Sequence, residues 1–179
     1  MTDHDFNRAI LEELAHRPWP IPDRPWVMTQ TWHDLLFVHW PMDANVLRPL
    51  VPSCFGLDTF GGHAWLGIVP FTMSNVSARS VPSLPWLSAF PELNVRTYVT
   101  VADRPGVLFL SLDAGNAVMA RAARLAFNLP YHSASMQSVR TPEGFGTGAG
   151  AAPGTPSSPR PTARRARVKC RPPAALRTS

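Results

Sequence analysis

Lysine is almost missing from this chain. Lys169 is the only one in 179 residues, and the first 139 carry nine arginines instead. A Schiff base with a keto acid needs an amine that can lose its proton near neutral pH, and a guanidinium stays protonated. Lysine-based covalent catalysis is therefore excluded from everything before residue 169. Cysteine is nearly as scarce. Cys54 and Cys170 stand far apart, with no CxxC and no Cys/His ligand spacing, so neither a zinc site nor a structural disulfide is expected. No stretch approaches the roughly 20 apolar residues that cross a bilayer. Residues 1–17 hold Asp3, Asp5, Glu12 and Glu13 and no long apolar run, which differs from a signal or transit peptide. The expectation is a soluble cytoplasmic chain without a membrane partner.

Aromatic residues are present but unevenly placed. All six Trp and both Tyr precede residue 140, after which Arg, Ala, Pro, Gly, Thr and Ser dominate. The segment 140–179 carries eight cations against Glu143 alone, a net +7, which leaves the first 139 residues at −2. This contrast predicts one domain over 1–139 and a disordered basic Pro/Ala/Arg/Gly-rich tail over 140–179. Arg, Ala, Pro and Gly have GC-rich codons, so out-of-frame translation of GC-rich DNA is the expected origin of the tail. The alternative is a cytoplasmic interaction protein whose run RPTARRARVKCR (160–171) grips nucleic acid without specificity. That run has no interleaved aromatics for base stacking, so nucleic acid is not the favoured partner.

Along the first 139 residues, Ile10, Leu11 and Leu14 stand at helical spacing within 6–16, and prolines at 18, 20, 22 and 25 follow as an extended arm. Val27 to Trp40 reads as one long strand, and Asp43 can cap a short helix through Leu50. In 63–73, Trp65, Gly67, Val69, Phe71 and Met73 share a strand face, with Pro70 implying an edge or a bulge. Ser80 to Pro91 is a proline-broken loop around Trp86. Glu92 to Ala102 alternates, with Leu93, Val95, Thr97 and Val99 on one face and Glu92, Asn94, Arg96 and Tyr98 on the other. DRPG (103–106) then turns the chain into an antiparallel partner over 107–113. Asn116 caps AVMARAARLAF, with Val118, Ala122, Leu125 and Ala126 inward and Arg121 and Arg124 outward. A further strand begins at Tyr131. Long strands with short helices make an α+β fold on a large curved antiparallel sheet or barrel.

The segments RPWVMTQTWHDLLFVHWP (24–41), LDTFGGHAWLGIVPFTM (57–73) and FPELNVRTYV (90–99), with FNLPYH (127–132), resemble the YqjF-like family, also called domain of unknown function 2071. The resemblance runs from about Arg17 to Met136. It implies an acetoacetate decarboxylase-like fold, with a cone-shaped β-barrel around an internal pocket, truncated here at its C-terminus. It also implies a bacterial protein that binds a small organic molecule. The ligand-pocket candidates are Glu92, Asn94, Arg96 and Tyr98, alternate residues that would line one wall. There Arg96 can hold a carboxylate in bidentate fashion while Glu92 orients the ligand or accepts a proton. The competing arrangement is a solvated outer face with cross-strand ion pairs. No catalytic residue is assigned. His33, His39, His63 and His132 do not form a metal site, because His33 and His39 lie about 20 Å apart along an extended strand. No cofactor motif is present, and Gly61–Gly62 is a turn.

Overall fold

The structure is a computed structural model that describes residues 11–16, 19–79, 89–141 and 144–150. Its centre is a seven-stranded sheet. β4 (Ala64–Ala78), β5 (Phe90–Val101) and β6 (Arg104–Ala114) form an antiparallel meander at the middle. β1 (Met28–His33) and β2 (Val38–Met42) both pair with β4, and β3 (Gly56–Leu57) pairs with β5 at Val99 and Thr100, beyond the reach of β4. β7 (Tyr131–Ser133) runs parallel to β6. The sheet is therefore mixed rather than purely antiparallel. Among the described residues it does not close into a barrel.

The segment expected as one long strand is two, and the reason lies at Asp34 and Pro70. Asp34 takes a left-handed φ of 54°, which breaks the extended run after His33. β1 pairs with β4 up to Thr72, and β2 resumes at Ile68. Pro70 sits opposite the gap, where its carbonyl accepts from the Leu36 N–H at 3.2 Å. A proline has no N–H to offer a neighbouring strand, and the partner strand is interrupted at the point where one would be required. Pro70 is thus tolerated inside a central strand, neither at an edge nor at a bulge.

Local chemistry fixes the remaining turns. Ala102 and Asp103 both take positive φ, 48° and 59°, in the two-residue connection between β5 and β6. The turn therefore shares only Asp103 with the expected DRPG, and Pro105 lies inside β6, paired with Thr100. β7 covers only Leu112 to Ala114 of β6, so among the described residues the outer side of Pro105 has no strand partner to bond. Phe60 and His63 exchange backbone hydrogen bonds around Gly61 and Gly62, whose φ values of 62° and 81° make that pair a turn, as expected. Asp43 caps α1 (Ala44–Leu47), accepting from Asn45 N at 2.8 Å, and a 3-10 turn (Arg48–Leu50) continues it. Cys54, in the loop that follows, is disulfide-bonded, which corrects the expectation that this cysteine forms no disulfide.

α2 (Ala117–Phe127) is capped as expected: Asn116 Oδ1 accepts from Val118 N and Met119 N, both at 3.1 Å. Its inward face is not the expected one. Ala120 is 1 % exposed and Met119 packs on the core, whereas Val118 and Leu125 are 61 % and 78 % exposed. Tertiary anchors set this rotation. The Gly115 N–H bonds Pro91 O at the entry, and at the last turn the Arg124 guanidinium, expected outward, donates to Tyr131 O. An alanine at the contact lets the helix approach the sheet more closely than a leucine face would. The core between helix and sheet consists of Val69, Phe71, Met73, Val76, Phe90, Ala114 and Ala120.

The strand expected from Tyr131 to Val139 is also divided, into β7 and β8 (Ser135–Thr141), and β8 pairs with β9 (Gly144–Gly150) as a separate hairpin. β8 crosses the expected boundary at 139/140, and β9 lies within the segment expected to be disordered. Residues 6–10 of the expected first helix, most of the 80–91 loop, and tail residues 151–179 lie outside the described residues.

Candidate functional site

β5 carries Glu92, Asn94, Arg96 and Tyr98 on one face, and register shows which face that is. Glu92 stands opposite Phe71, Asn94 opposite Val69 and Arg96 opposite Gly67 on β4. Val69 and Phe71 belong to the core, so this polar wall faces inward, beneath the same layer that α2 covers. Glu92 is 2 % and Asn94 3 % exposed, while Arg96 and Tyr98 are half-buried. The solvated outer face with ion pairs is not what forms. On the other face of β5, Leu93 and Val95 are half-buried, and Thr97 and Val99 are buried by further contacts.

At the inner end, Glu92 lies between Phe71 on β4 and Ala114 on β6, both 0 % exposed. Its carboxyl is pushed up to about 7, chiefly by burial, while a hydrogen bond from the Tyr131 hydroxyl lowers it in part. The same burial, followed by the Glu92 charge and this hydrogen bond, drives the Tyr131 phenol well above its ordinary range. Glu92 therefore titrates near neutral pH while Tyr131 keeps its proton. The second carboxylate oxygen, Glu92 Oε2, and Asn94 Oδ1 are buried and have no hydrogen-bond partner among the described residues. Leaving a buried polar atom unpaired costs about 1–3 kcal/mol.

At the outer end, His39 on β2 and Arg96 on β5 flank Gly67 of β4. A Cβ at residue 67 would stand 3.3 Å from Arg96 Cγ and 3.3 Å from His39 Nε2, so a glycine there lets both side chains lie over the middle strand. His39 Nε2 is 2.6 Å from the Tyr98 hydroxyl, and Arg96 donates a long 3.4 Å bond to the same oxygen. The guanidinium carbon lies 5.2 Å from the centre of the Phe37 ring and 5.7 Å from that of Tyr98. Arg96 Nε, like the two atoms of the inner end, is buried and unpaired among the described residues. Such a wall can receive hydrogen-bond donors at Glu92 and Asn94, and an acceptor or anion at Arg96.

All four expected residues thus come together on one wall. His39, Phe37, Gly67 and Tyr131 complete it and were not singled out for it by the sequence. The three other histidines considered for metal binding are dispersed. His33 Nε2 is 2.7 Å from Ser74 Oγ, His63 Nδ1 is 3.0 Å from Gly61 O, and His132 is exposed on β7.

Solved structures with this fold include acetoacetate decarboxylase from Legionella pneumophila, at a TM-score of 0.50 and 12 % identity, over 74 % of this chain and 49 % of that one. The enduracididine biosynthesis enzyme MppR, solved in complex with pyruvate, matches at a TM-score of 0.50 and 13 % identity, over 65 % of this chain and 44 % of that one. At such identities these likenesses establish the fold alone. In sequence, the uncharacterised protein YqjF of Bacillus subtilis is 51 % identical over 131 residues, 73 % of this chain and 54 % of that protein. The chain thus spans about half the length of the curated relative it matches. The model of DUF2071, described as an uncharacterised conserved protein, matches residues 29–178, past the point where the resemblance was expected to end. A match over so much of the sequence, on a sheet with the acetoacetate decarboxylase-like fold, places the chain in the DUF2071 family.

Proposed function

We propose that the protein binds a small organic acid against the inner wall of β5, and that it does so without covalent attachment through lysine. The observation that carries this reading is the set of buried polar atoms on alternate residues, Glu92 Oε2, Asn94 Oδ1 and Arg96 Nε, none with a partner among the described residues. A fold rarely leaves three such groups in one row without something to satisfy them. Arg96 is the anion-holding residue, since its planar fork matches a carboxylate in bidentate fashion. Glu92, titrating near neutral pH beside Tyr131, is placed to orient the ligand or exchange a proton with it. MppR has been solved with pyruvate, which makes short oxo- and alkyl-carboxylates the rational first probes. The nucleic-acid alternative rests on residues 160–171, which lie outside the described residues.

The test is thermal unfolding of the full chain against a panel of carboxylates, with Arg96→Gln alongside. Saturable stabilisation by at least one carboxylate, lost in Arg96→Gln, is the expected result. A panel that leaves the melting temperature unchanged, or stabilisation that survives loss of the guanidinium, would overturn the reading.

A further inference from the structure

The row of unpaired atoms has a direction. Two acceptors, Glu92 Oε2 and Asn94 Oδ1, stand at the buried end, and a cationic donor, Arg96, stands at the half-buried end beside the exposed Phe37. A simple monocarboxylate would satisfy only Arg96. It would leave the carboxylate and the amide oxygen of the inner residues unpaired in a dry environment. A molecule that answers all three groups must carry donors at one end and an anion at the other.

We infer that the wall selects a zwitterionic, extended ligand: an ammonium or similar cation against Glu92 and Asn94, and a carboxylate against Arg96. The inference rests on the carboxylate-binding reading above and adds the identity of the opposite end. Geometry sets the length. Glu92 and Arg96 are four residues apart on one strand, about 13 Å at a rise of about 3.3 Å per residue, and Arg96 leans over Gly67, its direct cross-strand neighbour, so the lean runs across the strand and keeps that spacing along it. A charge-assisted hydrogen bond at each end takes up about 3 Å, leaving about 7 Å between the ligand's own charged groups. This is the reach of an ω-amino acid with about five methylenes. An α-amino acid, with its charges on adjacent atoms, is too short to touch both ends. Glu92 is 2 % exposed whereas Phe37, against the Arg96 guanidinium, is 52 % exposed, so the ligand would enter cation first, with its carboxylate captured last.

Electrostatics supplies a signature that a merely structural Glu92 would lack. Burial holds the Glu92 carboxyl near 7. An ammonium placed beside it favours the charged form, so binding at about pH 6.5 expels a proton to the buffer.

The experiment is calorimetric titration of the full chain with 6-aminohexanoate, hexanoate, hexylamine and 2-aminohexanoate, each in two buffers of different ionisation enthalpy. The expected result is that 6-aminohexanoate binds about tenfold or more tighter than hexanoate, and tighter than either of the others. Its heat changes with buffer, and the hexanoate heat does not. The ratio between the two acids collapses toward one in Glu92→Gln and in Asn94→Leu. Equal affinity for hexanoate and 6-aminohexanoate, or a buffer-independent heat for 6-aminohexanoate, overturns the inference while leaving the carboxylate reading standing. No binding of any carboxylate overturns both.

Discussion

His39 and Tyr98 meet although their strands do not. β2 and β5 lie on opposite sides of β4, yet His39 Nε2 and the Tyr98 hydroxyl approach to 2.6 Å across the intervening Gly67. Adjacent strands are about 4.8 Å apart, so the pair bridges nearly 10 Å of sheet and needs a middle residue with no side chain on that face. Gly67→Ala would introduce a Cβ 3.3 Å from Arg96 Cγ and 3.3 Å from His39 Nε2. Overpacking of this kind costs about 1–3 kcal/mol, while replacing a strand glycine by alanine returns roughly 0.5–1 kcal/mol of chain entropy. The steric term wins. Gly67→Ala is expected to lower the denaturant midpoint by an amount equal to a net loss of about 0.5–2 kcal/mol, and Gly67→Val by more. An unchanged or raised midpoint for Gly67→Val would show that the two side chains do not converge there.

Glu92 makes stability fall as pH rises. Below about pH 4.5 the carboxyl is protonated in both folded and unfolded chains and contributes no pH dependence. Between 4.5 and about 7 the unfolded chain has released the proton while the native state still holds it, so each step upward in pH favours unfolding. Above about 7 both states are ionised and the penalty is complete, on the order of 3 kcal/mol. Glu92→Gln keeps a group that can bond Tyr131 and removes the charge. It is expected to match the parent near pH 4 and to exceed it by roughly 1–3 kcal/mol at pH 8. Urea denaturation at both values checks this, and a constant offset at the two pH values would contradict it.

The polar wall was legible in sequence because alternation is a local property: four residues two apart share a face wherever the strand lies. The β5–β6 hairpin and the Asp43 and Asn116 caps were legible for the same reason, each resting on a few consecutive residues. The rest depends on distant partners. Nothing near Pro70 announces that residues 34–37, more than 30 positions away, leave a gap opposite it. His39 and Tyr98 are 59 residues apart, and only the register of β4 brings them together. The rotation of α2 is decided by Pro91 and Tyr131, outside the helix, which is why its most apolar stripe was wrongly expected to be the buried one. The split of β7 from β8, with the parallel pairing of β7, likewise follows from the position of β6 rather than from any local pattern.

Lysine scarcity gives a prediction about chemistry. Incubation with a β-keto acid and borohydride, followed by peptide mapping, is expected to yield no side-chain adduct in residues 1–168, since no lysine lies there. Arg96 holds a carboxylate but cannot attack a carbonyl. Turnover accompanied by a reduced adduct at Lys169 would refute a lysine-independent site. Decarboxylation without any adduct would instead shift attention to acid–base chemistry at Glu92.

The outer face of α2 predicts how the protein behaves in solution. Val118, Ala122 and Leu125 recur at intervals of four and three, the spacing of a buried helical stripe, yet Val118 and Leu125 are 61 % and 78 % exposed and Phe127 is 47 % exposed. Each such side chain would gain roughly 1.5–3 kcal/mol from full burial, so contact between copies at this stripe is favoured. Leu125→Glu interrupts the stripe with a charge at a position that has little packing to lose. Its effect on the stability of one copy should stay within about 0.5 kcal/mol, as for other surface substitutions. Light scattering at increasing concentration is expected to show the parent chain self-associating and Leu125→Glu doing so markedly less, with superimposable unfolding curves at low concentration. If Leu125→Glu instead unfolds the chain, the residue is buried and the inward face is Val118, Ala122, Leu125 and Ala126 after all. If association is identical in the two proteins, it uses another surface, such as the exposed Trp40 and Phe60.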